Sequence, residues 1–235
     1  MKIALLGYGA MGRLLETLAH AAGDEIVLQT TTRDVAGTDW TARLRSCDVA
    51  LDFSQAAAVL PNVMACAQAG VPLVLGTTGW QADLDTVRAI IEEQGGALVY
   101  GANFSLGVNL FYRIVAHAAG LFAQVTGYEP FLEEAHHSRK KDAPSGTALK
   151  LQAIIRENLQ REFSVVSTRA GHIPGTHRVG FDAAADQILL THEARSREGF
   201  AAGALLAARW LPGRSGVYVF TQVIDEIIAG QSKEH

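Results

Sequence analysis

The chain has 235 residues, 49% of them hydrophobic and 19% charged, with a formal net charge of -4 and a sequence pI near 6.1. That length and apolar content suffice for one large domain or two modest ones with cores of their own, and they argue against disorder. The acidic balance gives no global attraction to nucleic acid or to anionic membranes, so an anionic ligand has to be met by local charge.

Residues 2–6 form an apolar run too brief for a secretory signal, and no segment approaches bilayer-spanning length. The run leads at once into Gly7-Tyr8-Gly9-Ala10-Met11-Gly12, after which Leu14, Leu15, Leu18 and Ala22 recur at helical spacing. This reads as strand, glycine-rich turn and helix. Gly7 permits the turn, Gly9 lets the backbone approach a pyrophosphate at the helix N-terminus, and Gly12 allows helix and strand to pack closely. A turn that merely joins two elements is the alternative, which the flanking pattern disfavours. Further strands at 25–29, 49–53, 71–75 and 97–100 alternate with helical patterns at 56–69 and 84–93, predicting an α/β fold with a Rossmann-like doubly wound parallel sheet. Pro61 should kink or delay its helix. Cys47 and Cys66 fall on segments of buried character without CxxC spacing, so a reducing cytoplasm is the expected compartment.

In such sheets the ligand lies beyond the C-terminal ends of the strands. After the second strand, where an NAD enzyme usually carries a carboxylate for the ribose 2′-hydroxyl, the chain has Thr30, Thr31, Thr32, Arg33 and then Asp34. Arg33 with the neighbouring hydroxyls suits a 2′-phosphate and favours NADPH; Asp34 would serve NADH if the strand ran longer. Gly76-Thr77-Thr78-Gly79 and Gly101-Ala102-Asn103-Phe104-Ser105 are small-residue loops that can lie against nicotinamide and ribose.

Residues 106–122 read as a helix that is apolar on most faces and joins the nucleotide domain to a second one. Residues 128–135 are extended in character, and Pro130 marks an edge strand or a strand start rather than a central strand. Continued through His137, this strand would point His136 and His137 to opposite faces, one being catalytic and the other supporting. Lys140, Lys141 and Asp142 then lead to Ser145-Gly146-Thr147, followed by Leu149, Leu151, Ile154, Ile155 and Leu159 at helical spacing. The triplet is a helix N-terminus. Its amides, the hydroxyls of Ser145 and Thr147 and a dipole contribution of about 0.3–1 kcal/mol suit a carboxylate, although an ordinary cap would look the same. With His136, His137, Arg139, Lys140 and Lys141 clustered just before it, the stretch suits a small dianion. Zinc ranks below acid–base work because HExxH spacing and a second ligand cluster are both lacking, and no metal is expected. Residues 200–210, 217–220 and 223–228 return to apolar patterning.

The stretch Glu134-Ala135-His136-His137-x-x-Lys140-x-Asp142-Ala143-Pro144-Ser145-Gly146-Thr147-Ala148 resembles the signature of the dihydrodipicolinate reductase family of bacterial lysine biosynthesis. The resemblance extends through residues 7–12, Asp52-Phe53-Ser54, residues 76–79, Asn103-Phe104-Ser105-x-Gly107-Val108-Asn109, Arg169-Ala170-Gly171, Gly175-x-His177 and residues 190–197. It implies reduction of 4-hydroxy-tetrahydrodipicolinate to tetrahydrodipicolinate with NADPH or NADH. It implies His136 as catalytic acid/base, Lys140 as proton donor or substrate clamp, and His137, Gly146 and Thr147 as substrate contacts beside Ser145. Gly7, Tyr8, Gly9, Ala10, Met11, Gly12, Phe53, Gly76, Thr77, Thr78, Gly101, Ala102, Asn103 and Phe104 would hold the cofactor, with Thr31, Thr32 and Arg33 deciding its preference. The implied organisation is a nucleotide domain of residues 1–103 and 199–235, a smaller α+β substrate and oligomerisation domain of residues 104–198, and a homotetramer built through the second domain's sheet. Pro130 and Pro174 depart from the family pattern.

Two other readings share the same platform. One is a different small-acid NAD(P)-dependent dehydrogenase, and the other is a non-catalytic NAD(P) sensor. The sensor would need no histidines and lysine beside an anion cradle.

Overall fold

The computed structural model describes residues 1–31 and 40–231, which gather into two compact units: Met1–Ser105 with Glu198–His235, and Leu106–Arg197. Thr32 and Arg33, expected to decide cofactor preference, lie outside the described residues.

The first unit holds β1 (Lys2–Leu6), α1 (Ala10–Ala21), β2 (Glu25–Thr30), α2 (Trp40–Leu44), β3 (Val49–Asp52), α3 (Val59–Ala69), β4 (Leu73–Leu75), α4 (Leu84–Glu93) and β5 (Ala97–Tyr100). The chain returns to it with α7 (Glu198–Trp210), β10 (Gly216–Val219) and α8 (Phe220–Gln231). Its six strands run parallel in the order β10-β5-β4-β3-β1-β2. β1, β3, β4 and β5 are buried along nearly their whole length, because helices cover both faces of a parallel sheet and leave no side for water. The core joins Leu6, Leu28, Leu73, Leu75 and Leu98 from the sheet to Val59, Val63, Val87 and Ile91 from α3 and α4.

Proline sets the limits of two of these elements. A 3-10 turn occupies Ala56–Ala58 and α3 starts only at Val59, so Pro61 falls in the first turn, where backbone N–H groups have no intrahelical partner to lose. Pro72 likewise holds the next strand to Leu73–Leu75, two residues shorter at its start than the apolar run of 71–75 suggests. Phe220, apolar like the strand before it, opens α8 instead of ending β10.

The second unit contains α5 (Leu106–Phe122), β6 (Glu129–His136), α6 (Gly146–Leu159), β7 (Ser164–Arg169), β8 (Thr176–Asp182) and β9 (Gln187–Glu193). Its sheet has the order β7-β6-β8-β9, with β6 parallel to β7 and antiparallel to β8. β6 is therefore central, and Pro130 does not mark an edge. The proline is tolerated because it stands at the strand start, and pairing with β7 begins only at Phe131. Alternate residues of β6 are buried, so one face of the sheet is covered: Leu132, Val179 and Phe181 pack with Phe111, Val115, Leu151 and Ile155 of α5 and α6. Phe181 stacks on Phe122 with ring centroids 4.1 Å apart. The opposite face carries Phe131, half-exposed Val166 and Leu189. Among the described residues no helix is long and apolar enough to cross a membrane.

Candidate active site

In the first unit, the turn after β1 fits a dinucleotide diphosphate. Gly7 has φ +94°, and a Cβ there would lie 2.6 Å from the Phe53 carbonyl oxygen; one on Gly12 would lie 2.5 Å from the Gly7 carbonyl oxygen. Both glycines are demanded by close backbone approach. Gly9 differs, for a Cβ there would meet no atom within 4 Å. It is the N-cap of α1, with no side-chain cap and no acidic residue in the first turn, so the amides of that turn face open space without a competing carboxylate. Ala10 and Met11 begin the helix. A cavity of about 280 Å³ lies over this turn, lined by Gly7, Tyr8, Gly9, Thr30, Thr31, Phe53, Ser54, Gln55, Ala58 and Asn62. Tyr8 donates its hydroxyl proton to Glu16, which also accepts from Gln29 at 2.6 Å.

Of the other expected nucleotide contacts, Gly76 lets the Phe53 ring lie where its own Cβ would be, and Thr77 is buried, with its Oγ1 accepting from the Ser54 amide at 2.8 Å. Thr78 and Ala102 are exposed. Asn103 accepts from the Ser105 amide at 2.8 Å. The Phe104 ring is core, packed on Phe220 at 4.6 Å, so the backbone around it is what this loop can offer a cofactor, together with Gly101 beside Phe220.

The second unit gathers the chemistry of residues 134–148. His136 and Glu134 are two apart on β6, so they share the covered face of the sheet, and His136 Nδ1 lies 2.5 Å from Glu134 Oε2. Register brings Arg169 of β7 opposite His136, and His177 of β8 opposite Glu134. The Arg169 guanidinium grips both Glu134 oxygens, at 2.9 and 2.6 Å, and also donates to the Asp142 carbonyl at 2.6 Å. Burial opposes ionisation of Glu134, but Arg169 and the His136 imidazole outweigh it and bring its pKa down to about 2. Glu134 is thus an acceptor, and His136 must carry its proton on Nδ1. Burial pushes His136 toward its neutral form, and Lys140 and Arg169 push the same way, against Glu134.

The α6 terminus meets this pair directly. The Ser145 amide donates to Glu134 Oε1 at 3.2 Å, while its Oγ accepts from the Ala148 amide at 3.2 Å and shares a hydrogen bond with His177 Nε2 at 3.0 Å. Ser145 is 2% exposed, so its hydroxyl is committed to shaping the turn instead of facing outward. The Gly146 and Thr147 amides are the open donors of the first turn, and a Cβ on Gly146 would meet nothing within 4 Å. Lys140 holds Asp142 at 2.8 Å, and His137 sits just past β6, its Nδ1 buried without a partner. His177 is buried and held to about pKa 4, first by burial and then by His136.

Glu134, His136 and His177 place ligand atoms within 4.8 Å of one another. Both Glu134 oxygens are engaged by Arg169, however, and a metal ion there would face a guanidinium, so the grouping suits proton transfer better than metal binding.

The expectations drawn from the sequence assign no role to Glu134, Arg169 or His177. The period of two along β6 was a signal for Glu134; the other two depend on strand register.

Comparison with known proteins matches both halves of the chain. The family model described as dihydrodipicolinate reductase, N-terminus, matches residues 1–104, and that described as dihydrodipicolinate reductase, C-terminus, matches residues 107–224. The chain is 36% identical to a 4-hydroxy-tetrahydrodipicolinate reductase of Christiangramia forsetii, over 97% of this chain and 99% of that protein. It is 35% identical to one of Archaeoglobus fulgidus, over 90% and 94%. In fold it is similar to a dipicolinate-bound dihydrodipicolinate reductase from Paenisporosarcina sp. TG-14, with TM-score 0.77 and 20% identity over 93% of this chain and 97% of that one.

Proposed function

Because the chain belongs to the dihydrodipicolinate reductase family, matched through both halves, we infer that it is a 4-hydroxy-tetrahydrodipicolinate reductase, forming tetrahydrodipicolinate with NAD(P)H in the diaminopimelate route to lysine. The observation that carries this reading is the buried Glu134–His136 pair joined to the α6 N-terminus through the Ser145 amide, an acid–base group next to an anion-binding helix end. We assign nucleotide binding to the first unit, and substrate binding and oligomerisation to the second.

The bound nicotinamide supplies the hydride. The substrate is a cyclic imine dicarboxylate, formed when the hydroxylated precursor loses water, and the negative charge that develops on its ring has to be met by a proton. His136 gives that proton from Nε2, since Glu134 holds Nδ1. In the free chain, burial keeps this imidazole toward neutrality. A dicarboxylate held at Gly146 and Thr147 brings negative charge that reverses the bias, loading Nε2 with a proton while Glu134 stabilises the imidazolium. Such general-acid assistance is worth roughly 10²–10⁴ in rate. Lys140 turns from Asp142 toward a substrate carboxylate or the developing charge, and His137 adds a further contact.

NADPH is the favoured donor over NADH. β2 ends in Thr30, followed by Thr31, so the strand end itself carries no carboxylate, and Arg33 further along the sequence suits a 2′-phosphate. The protein works as a cytoplasmic homotetramer, joined through the uncovered face of the second sheet. The test is a coupled assay in which the upstream synthase supplies fresh substrate and oxidation of NADPH and NADH is followed separately. Oxidation of either cofactor is expected, NADPH faster; oxidation of neither refutes the assignment.

A further inference from the structure

Asp52, the last residue of β3, is fully buried, and its partners among the described residues are all neutral donors. Its Oδ1 accepts from the Ser54 amide at 2.9 Å, the Ser54 hydroxyl at 2.6 Å and the Thr77 hydroxyl at 2.8 Å, and its Oδ2 accepts from Asn62 Nδ2 at 2.7 Å. Burying a carboxylate away from any cation is costly, and an apolar side chain would serve a core equally well. What only a carboxylate offers is two acceptor-only oxygens that take several donors at once.

The donors it takes come from different places. Ser54 follows β3, Asn62 belongs to α3 and Thr77 follows β4. Ser54 and Asn62 line the cavity over the glycine-rich turn, whereas Thr77 lies in the neighbouring loop, whose Gly76 is pressed against the Phe53 ring. The Asp52 backbone extends the same tie, since its carbonyl accepts from the Gly76 amide at 2.8 Å and the Phe53 amide donates to Leu6 at 2.9 Å. From this arrangement we propose that Asp52 is the positioning residue of the nucleotide site: it touches no cofactor, but sets the cavity wall of residues 53–55 and the loop of residues 76–78 in one fixed relation. The proposal rests on the reading of that cavity as the NAD(P)H site. Because both loops serve the part of the cofactor common to NADPH and NADH, Asp52 governs affinity for both and preference for neither.

The test measures direct binding of NADPH and of NADH by nucleotide fluorescence, together with KM for cofactor, KM for the dicarboxylate, kcat and thermal midpoint. Asp52→Asn keeps the volume but turns an amide toward the donors. Asn62→Ala is the milder variant, removing one of the bonds to Asp52 and a longer one of 3.4 Å to the Ser54 hydroxyl, and remains informative if Asp52→Asn does not fold. Asp24→Asn is the control, since Asp24 is a buried carboxylate of the same unit that holds the Met1 ammonium at 2.9 Å and Arg209 at 2.5 Å, away from this cavity. Asp52→Asn should weaken both nucleotides about tenfold and in equal proportion, Asn62→Ala about threefold, with KM for the dicarboxylate within about twofold of the parent. Asp24→Asn should lower the thermal midpoint without weakening either nucleotide. Unchanged nucleotide binding in both cavity variants would overturn the proposal, as would an equal loss in Asp24→Asn. Failure of the parent protein to bind either nucleotide would instead overturn the reading of the site.

Discussion

His136 and Glu134 stand two residues apart on one strand, with Nδ1 2.5 Å from Oε2, and Arg169 closes on both oxygens of the same carboxylate. The arrangement fixes which imidazole nitrogen is available for chemistry and keeps the carboxylate ionised. Glu134→Gln preserves shape but leaves Arg169 without its counter-charge and His136 without support for its protonated form. We expect kcat to fall roughly 10- to 100-fold with KM for cofactor unchanged, and stability to drop by about 3 kcal/mol, as for removing one partner of a buried ion pair. Stopped-flow turnover and urea unfolding would check both; an unchanged kcat would remove Glu134 from the mechanism.

The two pH profiles of turnover should separate. In the free chain His136 is pushed below its ordinary pKa by burial, so kcat/KM, which reports the free enzyme, should begin to fall at lower pH. Once the dianion is bound, its charge favours the imidazolium, and the descending limb of kcat should lie at higher pH. Limbs that coincide would show that substrate does not load the proton.

Acid should also destabilise the protein through His177. Its pKa is lowered from 6.5 to about 4, so the unfolded chain binds the proton first, and stability falls as pH drops from 6.5 toward 4. The loss from this residue approaches about 3 kcal/mol. Glu134 acts in the same direction further down, since a carboxylate held at about 2 loses its contribution as pH falls from its ordinary value of 4.5. Thermal midpoints measured from pH 7 to pH 4 should decline more steeply in the parent than in His177→Asn. Equal slopes would exclude His177 as the cause.

What could be read from the chain alone was local. The glycine-rich turn, the helical spacing of Leu14, Leu15 and Leu18, and the helix start at Ser145 are patterns within one element, and all are found in the fold. β7, β8 and β9 are absent from the sequence-based expectations: β7 and β9 are half-exposed along much of their length, and their stabilisation lies in pairing. The register that sets Arg169 beside His136 joins residues far apart in sequence, so the ion pair had no local signal. Pro130 shows the converse. Its place at a strand start is legible locally, but the central place of β6 is decided by the strands on either side, β7 and β8, which pair with it from far along the chain.

The α6 terminus separates binding from folding. A side chain at Gly146 would meet open space, so Gly146→Val should fold, with a thermal midpoint near that of the parent. It would nonetheless cover the Gly146 and Thr147 amides, the donors assigned to a substrate carboxylate. KM for the dicarboxylate should rise at least about tenfold, while nucleotide binding stays as in the parent. Gly12→Ala offers the contrast, because its Cβ would press on the Gly7 carbonyl oxygen, and it should impair folding and nucleotide binding together. A Gly146→Val enzyme with unchanged KM would move the carboxylate site elsewhere.

The uncovered face of the second sheet bears on assembly. Leu189, 47% exposed, is in register with Gly180, whose missing side chain makes room for the Phe131 ring, and Val166, 52% exposed, is paired with Glu133. An apolar strip flanked by charge, on a sheet whose other face is filled by α5 and α6, matches a surface buried between subunits. In a homotetramer joined there, Leu189→Glu together with Val166→Glu would bring like charges against their copies across the interface, beside the existing Glu133. Light scattering coupled to size exclusion should then show species smaller than the tetramer expected of the parent. In that assembly the parent's thermal midpoint should rise with protein concentration, whereas the double variant should melt at a lower temperature that changes less with concentration. A tetramer that survives both substitutions would place the subunit interface on another surface.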